Sequence, residues 1–286
     1  MIKSFILGNP RSGTSLLRIM LNAHPQILAA PESGFMEWWH NKYSNWSSVD
    51  NKNELKVDEY VQDVLSSKKI ETWDLDPKCL NDTIKENNPR NYGELSQCVY
   101  LSRAKHLKKE AQVIVDKNNY YIHCVGKLQE IWGDAKYIHL IRDGRDVACS
   151  YIALKSQNIN SKYKPQLSSD ISQIAKEWLT NNQKILFEMD KMPEGQCISI
   201  KYEDMLKYSE QKLKSLCDFL GVNFNKRMLE YYKYNDEPGS TLEWKKKTLQ
   251  KPQVSNIAKY KTILTQAQID EFNDIAGDML ERFGYV

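Results

Sequence analysis

The N-terminal segment, where a short apolar run meets a glycine-containing loop, is the feature of this sequence that most restricts its fold. The run Ser4–Leu7 predicts a buried β-strand, and the pattern of Leu16–Ala23 predicts an amphipathic helix. Between them the chain reads Gly8-Asn9-Pro10-Arg11-Ser12-Gly13-Thr14-Ser15. Such a loop forms an anion-binding cradle, because backbone N–H groups converge there and the helix dipole adds positive potential. The structural alternative is an ordinary strand-to-helix turn capped by Ser12.

The spacing of this loop matches the phosphate-binding pattern G-x-x-x-x-G-K-[ST] at all positions but one. Gly8 and Gly13 supply the two glycines, and Ser15 supplies the final hydroxyl. Thr14 stands where the pattern has a lysine, whose side chain contacts the β- and γ-phosphates of a nucleoside triphosphate. The change argues against triphosphate hydrolysis and leaves the backbone cradle intact, with Arg11 as the cation inside the loop.

Short apolar runs alternate with helical patterns along the rest of the chain. The predicted strands are Ser4–Leu7, Ile27–Ala30, Gln112–Val115, Tyr137–Ile141 and Cys197–Ile200. The predicted helices include Thr14–Ala23, Asp58–Ser67, Leu95–Lys109, Asp146–Lys155, Ile171–Met189, Ser209–Leu220 and Gln266–Phe283. This alternation predicts a three-layer α/β fold of the P-loop type, with a central parallel sheet flanked by helices. The polar and aromatic region of about 36–110 predicts a helical insertion over one edge of the sheet, and we expect residues 1–286 to form a single domain.

Composition restricts the partners and the compartment. The 40 Lys and Arg residues and 37 Asp and Glu residues give a net charge of only +3, which disfavours nucleic acid and membrane surfaces as partners and makes any anion site local. The longest apolar runs are far shorter than the roughly 18 residues of a membrane-spanning helix. The six cysteines occur singly, which favours free thiols over disulfides or a zinc site, and hence a cytoplasmic protein. Homo-oligomerisation is left open.

The run Pro10-Arg11-Ser12-Gly13-Thr14-Ser15 resembles the 5′-phosphosulfate loop of sulfotransferases that use 3′-phosphoadenosine 5′-phosphosulfate (PAPS). Ala23-His24-Pro25 and Pro31-Glu32 are most similar to the bacterial and tyrosylprotein branch of that family. The resemblance implies that the loop residues Arg11, Ser12, Gly13, Thr14 and Ser15 bind the donor. His24, just after the helix, is expected to cap it rather than to act as a base.

A second segment resembles the 3′-phosphate site of the same family. Arg142-Asp143-Gly144-Arg145-Asp146 follows the fourth predicted strand, and Ser150 lies eight positions after Arg142. The resemblance implies that Arg142 and Ser150 hold the 3′-phosphate. The alternative for the charged run is a solvated salt-bridge cluster.

Charged residues follow several predicted strands at their carboxyl ends, where ligands bind in open α/β sheets. Arg11, Glu32, Lys117 and Arg142 lie at or just past the first four strands, so we expect them to meet at one edge. Arg11 and Lys117 are the candidates for stabilising negative charge on the leaving group, and Glu32 is the candidate general base. In the tyrosylprotein branch, the positions of Arg11 and Glu32 carry these roles. Structural ion pairing is the alternative for Glu32, and a solvated loop position is the alternative for Lys117.

The C-terminal third holds weaker matches. Lys201-Tyr202-Glu203-Asp204-Met205 resembles a family landmark, and Tyr202 is included among the donor-binding candidates. Lys251-Pro252-Gln253-Val254-Ser255 and the residues up to Tyr260 resemble a segment that folds over the nucleotide, which makes Lys251 and Ser255 candidate phosphate contacts. Lys245-Lys246-Lys247 is expected to be a solvated face. The acceptor pocket is expected from Phe35–Trp46, Ser156–Leu167 and Tyr231–Leu249.

These observations predict a sulfotransferase that moves a sulfuryl group from PAPS to a hydroxyl or amine of a small-molecule or carbohydrate acceptor, without a metal ion. A P-loop small-molecule or nucleotide kinase is the alternative enzyme, and it predicts ATP and magnesium dependence. A third hypothesis is a nucleotide-binding scaffold that has lost its chemistry. The presence of both Arg11 and Glu32 counts against the scaffold.

Overall fold

A parallel β-sheet forms the centre of the computed structural model, which describes residues 1–239 and 245–286 but not the side chain of Lys247. The strands are β1 (Ile2–Leu7), β2 (Ile27–Ala29), β3 (Val113–Lys117), β4 (Lys136–Ile141) and β5 (Cys197–Lys201). They pair in the order β2-β3-β1-β4-β5, and every pairing is parallel. The predicted sheet is therefore confirmed, and each strand agrees with its predicted range to within about two residues.

Helices follow or connect the strands throughout the described residues. They are α1 (Thr14–Asn22), α2 (Phe35–Trp38), α3 (His40–Tyr43), α4 (Glu54–Ser66), α5 (Pro77–Asn87), α6 (Tyr92–His106), α7 (Val125–Ile131), α8 (Gly144–Lys155), α9 (Ile171–Met189), α10 (Tyr202–Lys207), α11 (Ser209–Leu220), α12 (Tyr260–Ile263) and α13 (Gln266–Arg282). Among these elements, no helix is both long enough and apolar enough to cross a bilayer. The six cysteines are all free, as predicted.

Alternate residues of the central strands pack into different hydrophobic clusters, which gives the molecule its three layers. Phe5 of β1 joins the cluster formed with α4, α5, α6 and α7, whereas Ile6 joins the cluster formed with α1, α10 and α11. A further cluster joins Ile141, at the end of β4, to α8, α9 and α13. Because a strand directs successive side chains to opposite faces, a strand buried on both faces is apolar along its whole length.

The predicted helical insertion is present as α2 to α6, and side chains cap its longer helices. Asn53, Asp76 and Asn91 accept hydrogen bonds from backbone N–H groups in the first turns of α4, α5 and α6. The predicted position over a sheet edge is wrong, because the insertion packs against the sheet face that carries Phe5 and Tyr137. Its large aromatic side chains pack on that face and bury it.

The register of the central strands brings three chain segments to one end of the sheet. Ile6 of β1 is opposite Lys117 at the end of β3, and Leu7 is opposite His139 of β4. The loop that leaves β1 at Gly8 therefore lies between the ends of β3 and β4. Gly8 is buried, and a Cβ atom there would lie 2.7 Å from the carbonyl oxygen of Leu140 and 2.9 Å from Cγ2 of Thr14.

Replacing Gly8 with alanine is expected to lower the free energy of unfolding by about 1–3 kcal/mol, because the backbone of β4 cannot easily move away. Gly126 in α7 is the matched control, since a Cβ atom there meets no atom within 4 Å. Gly126→Ala is expected to be neutral or stabilising by up to about 1 kcal/mol. Urea unfolding of both variants measures the difference, and equal midpoints would show that Gly8 is not constrained by Leu140.

Candidate active site

A cleft of about 1110 Å³ lies at the carboxyl ends of the strands. The predicted residues that line it are Arg11, Gly13, Thr14, Ser15, Glu32, Lys117, Arg142, Ser150, Tyr202 and Lys251. Two predicted residues do not line it: Ser12 is buried beneath the loop, and Ser255 is exposed. The expected meeting of Arg11, Glu32, Lys117 and Arg142 at one edge of the sheet is thus observed.

The loop between β1 and α1 presents unused hydrogen-bond donors. Gly13 is the N-cap of α1 with φ 98°, and no side chain caps this helix, so the alternative in which Ser12 caps it is wrong. The hydroxyl of Ser12 is buried and has no hydrogen-bond partner among the described residues. A buried donor without a partner is costly unless a ligand or water satisfies it. The loop therefore fits an anion.

Tyr202, the first residue of α10, explains why the loop requires glycine at position 13. A Cβ atom on Gly13 would lie 2.5 Å from Cδ2 of the Tyr202 ring, and the positive φ of Gly13 disfavours any other residue. The same ring lies 4.5 Å from the guanidinium carbon of Arg142. Tyr202 therefore supports both the loop and the arginine.

Arg11 joins the two predicted anion-binding segments directly. Its Nε donates to Oγ of Ser150 at 3.1 Å, and its carbonyl oxygen accepts from Nη1 of Arg142 at 3.0 Å. The backbone of Arg11 has φ 68°, an uncommon value for a residue other than glycine. Burial and the nearby charge of Arg142 lower the pKa of Arg11 to about 10. Two cations held this close repel each other, which favours the entry of an anion.

Arg142 is only 8% exposed and is held at several points. Its Nη2 donates to the carbonyl oxygen of Asn256 at 3.3 Å, while its Nε is buried without a partner among the described residues. Asn256 itself lines the cleft. The fixed guanidinium with an unused N–H fits the predicted role in phosphate binding.

The other charged residues of the Arg142–Asp146 run are buried, so the alternative of a solvated cluster is wrong. Asp143 caps α8 by accepting from the backbone N–H of Arg145, and it also pairs with the Arg145 side chain at 2.9 Å. Asp146 accepts from the backbone N–H groups of Ala258 and Tyr260, at 2.8 and 3.0 Å. These bonds fix the C-terminal segment beside Arg142.

Glu32 lies between two lysines. Lys117 Nζ donates to its Oε1, and Lys69 Nζ donates to its Oε2 at 2.6 Å. Burial alone would raise the pKa of Glu32, but neighbouring positive charges outweigh it and hold that pKa well below its ordinary value. In order of effect, these charges belong to Lys117, Lys245 and Lys69. Glu32 is therefore an ionised carboxylate that faces the cleft.

Asp116 fixes the end of β3 from which Lys117 extends. Its Oδ2 accepts from the hydroxyls of Tyr100 and Tyr121, each at 2.6 Å, and its Oδ1 accepts from the backbone N–H of Lys117. Lys117 itself is only 2% exposed, so it is not the solvated loop lysine of the alternative. The buried Asp116 holds the backbone, which leaves the Lys117 ammonium to face the cleft.

Two lysines of the site were not predicted. Lys69 comes from the insertion, which carries no motif of the family. Lys245 was assigned to a solvated face, but its side chain is only 10% exposed and pairs with Glu237. Glu237 also accepts from the buried Arg18 at 2.8 Å. Glu237 and Arg18 meet only in the folded chain. The sequence therefore carries no direct sign that Lys245 belongs to the site.

Comparison with known proteins identifies the family. A family model described as "Sulfotransferase family" matches residues 4–226, which is more than three quarters of the chain. The chain belongs to the sulfotransferase family. Membership supports a PAPS-dependent transferase and does not support the kinase alternative.

Relatives of this sulfotransferase are distant. Protein-tyrosine sulfotransferase A of Caenorhabditis elegans is 23% identical over 98% of the chain and 66% of its own length. An uncharacterised protein of Aquifex aeolicus is 28% identical over 91% of the chain and 31% of its own length. The chain therefore spans only about one third to two thirds of the length of these relatives.

A solved structure supports the fold. The sulfotransferase domain of the olefin synthase of Synechococcus PCC 7002 has a TM-score of 0.63 at 22% identity, covering 97% of this chain and 94% of that one. The agreement over nearly the full length of both chains shows that this sulfotransferase has the fold of that domain.

The acceptor side of the cleft differs in part from prediction. Residues 157–159 and 162–167 line it, as expected for the predicted loop Ser156–Leu167. None of Phe35–Trp46 lines it, and Phe35, Met36, Tyr43 and Trp46 are instead buried in the core of the insertion. From Tyr231–Leu249 the lining residues are Tyr231, Lys245, Lys246 and Thr248, while 240–244 lie outside the described residues.

The ring of His24 has a structural role, but it does not cap α1 as expected, because the C-cap is Ala23. Its Nδ1 accepts from the backbone N–H of Gln26 at 3.0 Å, and its Nε2 lies 2.8 Å from the carbonyl oxygen of Asn223. The ring therefore joins the end of α1 to Asn223, just after α11, and His24 is not among the residues that line the cleft.

The affinity for 3′,5′-bisphosphoadenosine is expected to fall as the pH rises through about 8. Burial lowers the pKa of Lys117 to about 8, so its side chain is charged below this pH and neutral above it. Linkage limits the fall due to Lys117 to about tenfold per pH unit. Calorimetry between about pH 7 and 9 measures it. Lys117→Met should bind more weakly at neutral pH and lose this dependence, so an equally steep fall in the variant would contradict the assignment.

Proposed function

We propose that this protein transfers a sulfuryl group from PAPS to a hydroxyl or amine of a small-molecule or carbohydrate acceptor by in-line displacement. The observation that carries the proposal is the arrangement of Arg11, Lys117 and Arg142 around an uncapped helix N-terminus, with Glu32 in the same cleft. We further propose that residues 1–286 form one sulfotransferase domain.

The donor is proposed to lie along the loop and the start of α8. The loop residues 11–15 would hold the 5′-phosphosulfate through backbone N–H groups and the Arg11 side chain. Arg142 and Ser150 would hold the 3′-phosphate, with Tyr202 supporting the guanidinium. Lys251 and Ser255, both exposed, would reach the donor from the C-terminal segment. The unused Nε donor of Arg142, which lines the cleft, supports this placement.

Cationic side chains are proposed to offset the charge that develops on the leaving phosphate, so no metal ion is required. Bound PAPS supplies an activated sulfuryl group joined to that phosphate. Arg11 and Lys117 are the groups that face it, and one well-placed donor can contribute about 3–4 kcal/mol to transition-state stabilisation. When Lys117 turns toward the donor, Glu32 loses its strongest positive neighbour and becomes more basic. Glu32 then takes the proton of the attacking acceptor.

Contacts between the insertion and the loop on the acceptor side support a small acceptor, because they restrict the width of the cleft. Tyr163, on the loop that lines the acceptor side, donates to Glu71 of the insertion, and Lys162 pairs with Glu71 at 3.4 Å. These contacts join two sides of the entrance. The second candidate acceptor is a peptide tyrosine, which the name of the Caenorhabditis elegans relative favours.

The acceptor class can be tested with radiolabelled PAPS and a panel of a simple phenol, a hexosamine, an aliphatic alcohol and a tyrosine-containing peptide. Transfer to the phenol, alcohol or sugar is expected. Label on the peptide alone would replace the small-molecule proposal with peptide tyrosine sulfation. If no acceptor is labelled and 3′,5′-bisphosphoadenosine does not bind in calorimetry, the sulfotransferase proposal fails.

Arg142→Ala is expected to weaken binding of 3′,5′-bisphosphoadenosine about ten- to hundredfold, the range for losing charge-assisted hydrogen bonds. The rate at saturating donor should change little, because Arg142 is assigned to binding. Arg227, an exposed arginine outside the cleft lining, is the control and should tolerate alanine without effect. A large rate loss at saturation would contradict the binding role.

Glu32→Gln is expected to keep nucleotide affinity within a few fold and to reduce turnover about 10²- to 10⁴-fold, because the amide cannot accept the proton. Glu37→Gln is the matched control, since Glu37 is also a largely buried carboxylate paired with a lysine, Lys127, at 2.7 Å. Turnover of the labelled acceptor measures both. An active Glu32→Gln enzyme would remove Glu32 as the base.

A further inference from the structure

Lys69 places an ammonium group from the helical insertion against the proposed base. Its Nζ is 2.6 Å from Oε2 of Glu32, and its side chain is 24% exposed. Lys117 occupies the other carboxylate oxygen, Oε1. The two oxygens of Glu32 are therefore held by lysines from separate parts of the chain.

The backbone around Lys69 is fixed relative to Glu32. Lys69 has φ 69° and immediately precedes a 3-10 turn, Ile70–Trp73. Trp73 in this turn is fully buried, and its Nε1 donates to the carbonyl oxygen of Pro31, the residue before Glu32. An uncommon backbone conformation persists only where the surrounding structure enforces it, and such positions cluster at functional sites. The anchor at Pro31 sets the spacing between Lys69 and Glu32.

The two lysines cannot have the same role during the reaction. In the proposed function Lys117 serves the leaving phosphate, so it must release Glu32. Lys69 is covered on its other side by the ring of Tyr163, whose centroid is 5.7 Å from Nζ. It therefore stays beside Glu32 at the acceptor side of the cleft.

We infer that Lys69 is a positioning residue, which keeps the carboxylate of Glu32 ionised and directed at the acceptor while Lys117 engages the donor. This inference rests on the proposed function. Lys69 acts through Glu32 and is not itself assigned a contact with the reacting atoms.

Several charged and titratable groups face Glu32 and set its protonation. They are Lys117 from β3, Lys69 from the insertion, Lys245 from the C-terminal part, Arg11 from the loop after β1, and the buried Asp116 behind β3. The lysines hold the pKa of Glu32 down against burial, which alone would raise it. Replacing Lys69 removes one of the positive charges that lower the pKa of Glu32. The effect of burial is then less fully offset, so this pKa rises.

The test is a carboxyl ¹³C NMR titration of the full chain labelled at glutamate, in the presence of 3′,5′-bisphosphoadenosine. The spectrum of Glu32→Gln assigns the Glu32 signal. The titration midpoint of Glu32 is expected to move to higher pH in Lys69→Met and to return toward the wild-type value in Lys69→Arg. Lys68→Met is the matched control, because Lys68 is the adjacent exposed lysine of the same cleft and is expected to leave the midpoint unchanged.

The inference is overturned if the titration midpoint of Glu32 is the same in Lys69→Met and Lys68→Met. It is overturned equally if Glu32 stays ionised in both variants down to the pH at which the protein unfolds in acid. It is also overturned if Lys69→Arg behaves as Lys69→Met does. Thermal melting of each variant checks that the fold persists, which is expected because Lys69 is partly exposed.

Failure of the proposed function gives a different result. If wild type, Lys69→Met and Lys68→Met all fail to bind 3′,5′-bisphosphoadenosine in calorimetry, then the sulfotransferase proposal fails and the inference falls with it. If all three bind with similar affinity and the midpoints are the same, the function stands and the role of Lys69 does not.

Discussion

The structure depends on holding like charges close together at the carboxyl end of a parallel sheet. Arg11 and Arg142 lie in direct contact, and burial and the charge of Arg142 lower the pKa of Arg11 to about 10. Lys117 is buried as well and pairs with Glu32. Like charges at this distance repel each other, and an anionic donor relieves the repulsion when it binds. The protein therefore carries a binding preference for a small polyanion in its folded structure.

Buried acids that bond to the backbone make that arrangement rigid. Asp116 fixes the strand end that carries Lys117, and Asp146 fixes the backbone of Ala258 and Tyr260 next to Arg142. Glu203 accepts from the backbone N–H of Asp143 at 3.0 Å. Donors that are already in place need little reorganisation when charge develops, which is the main source of electrostatic catalysis. These buried acids thus determine how well the cations can work.

The sheet and the cations next to its strands were predictable from sequence, because each is encoded within a few consecutive residues. Arg11 and Arg142 follow apolar runs whose length and composition identify buried parallel strands. Lys69 was not predictable, because its place depends on Trp73 reaching Pro31 across the insertion. Phe35–Trp46 was assigned to the acceptor pocket wrongly, since aromatic residues are equally suited to a pocket and to a core, and only packing decides between them.

The contact between Gly13 and Tyr202 bears on how such a loop can be transferred between proteins. The loop follows the first strand, whereas the ring that closes over Gly13 comes from the end of the last strand. Gly8 is likewise closed by Leu140 of a third strand. If residues 8–15 alone were grafted onto another α/β sheet, both glycines would lose the contacts with Leu140 and Tyr202 that restrict the loop. The smallest unit that could be transferred is the loop together with the ends of β4 and β5. The conformation of the loop is therefore a property of the assembled sheet and not of a peptide motif.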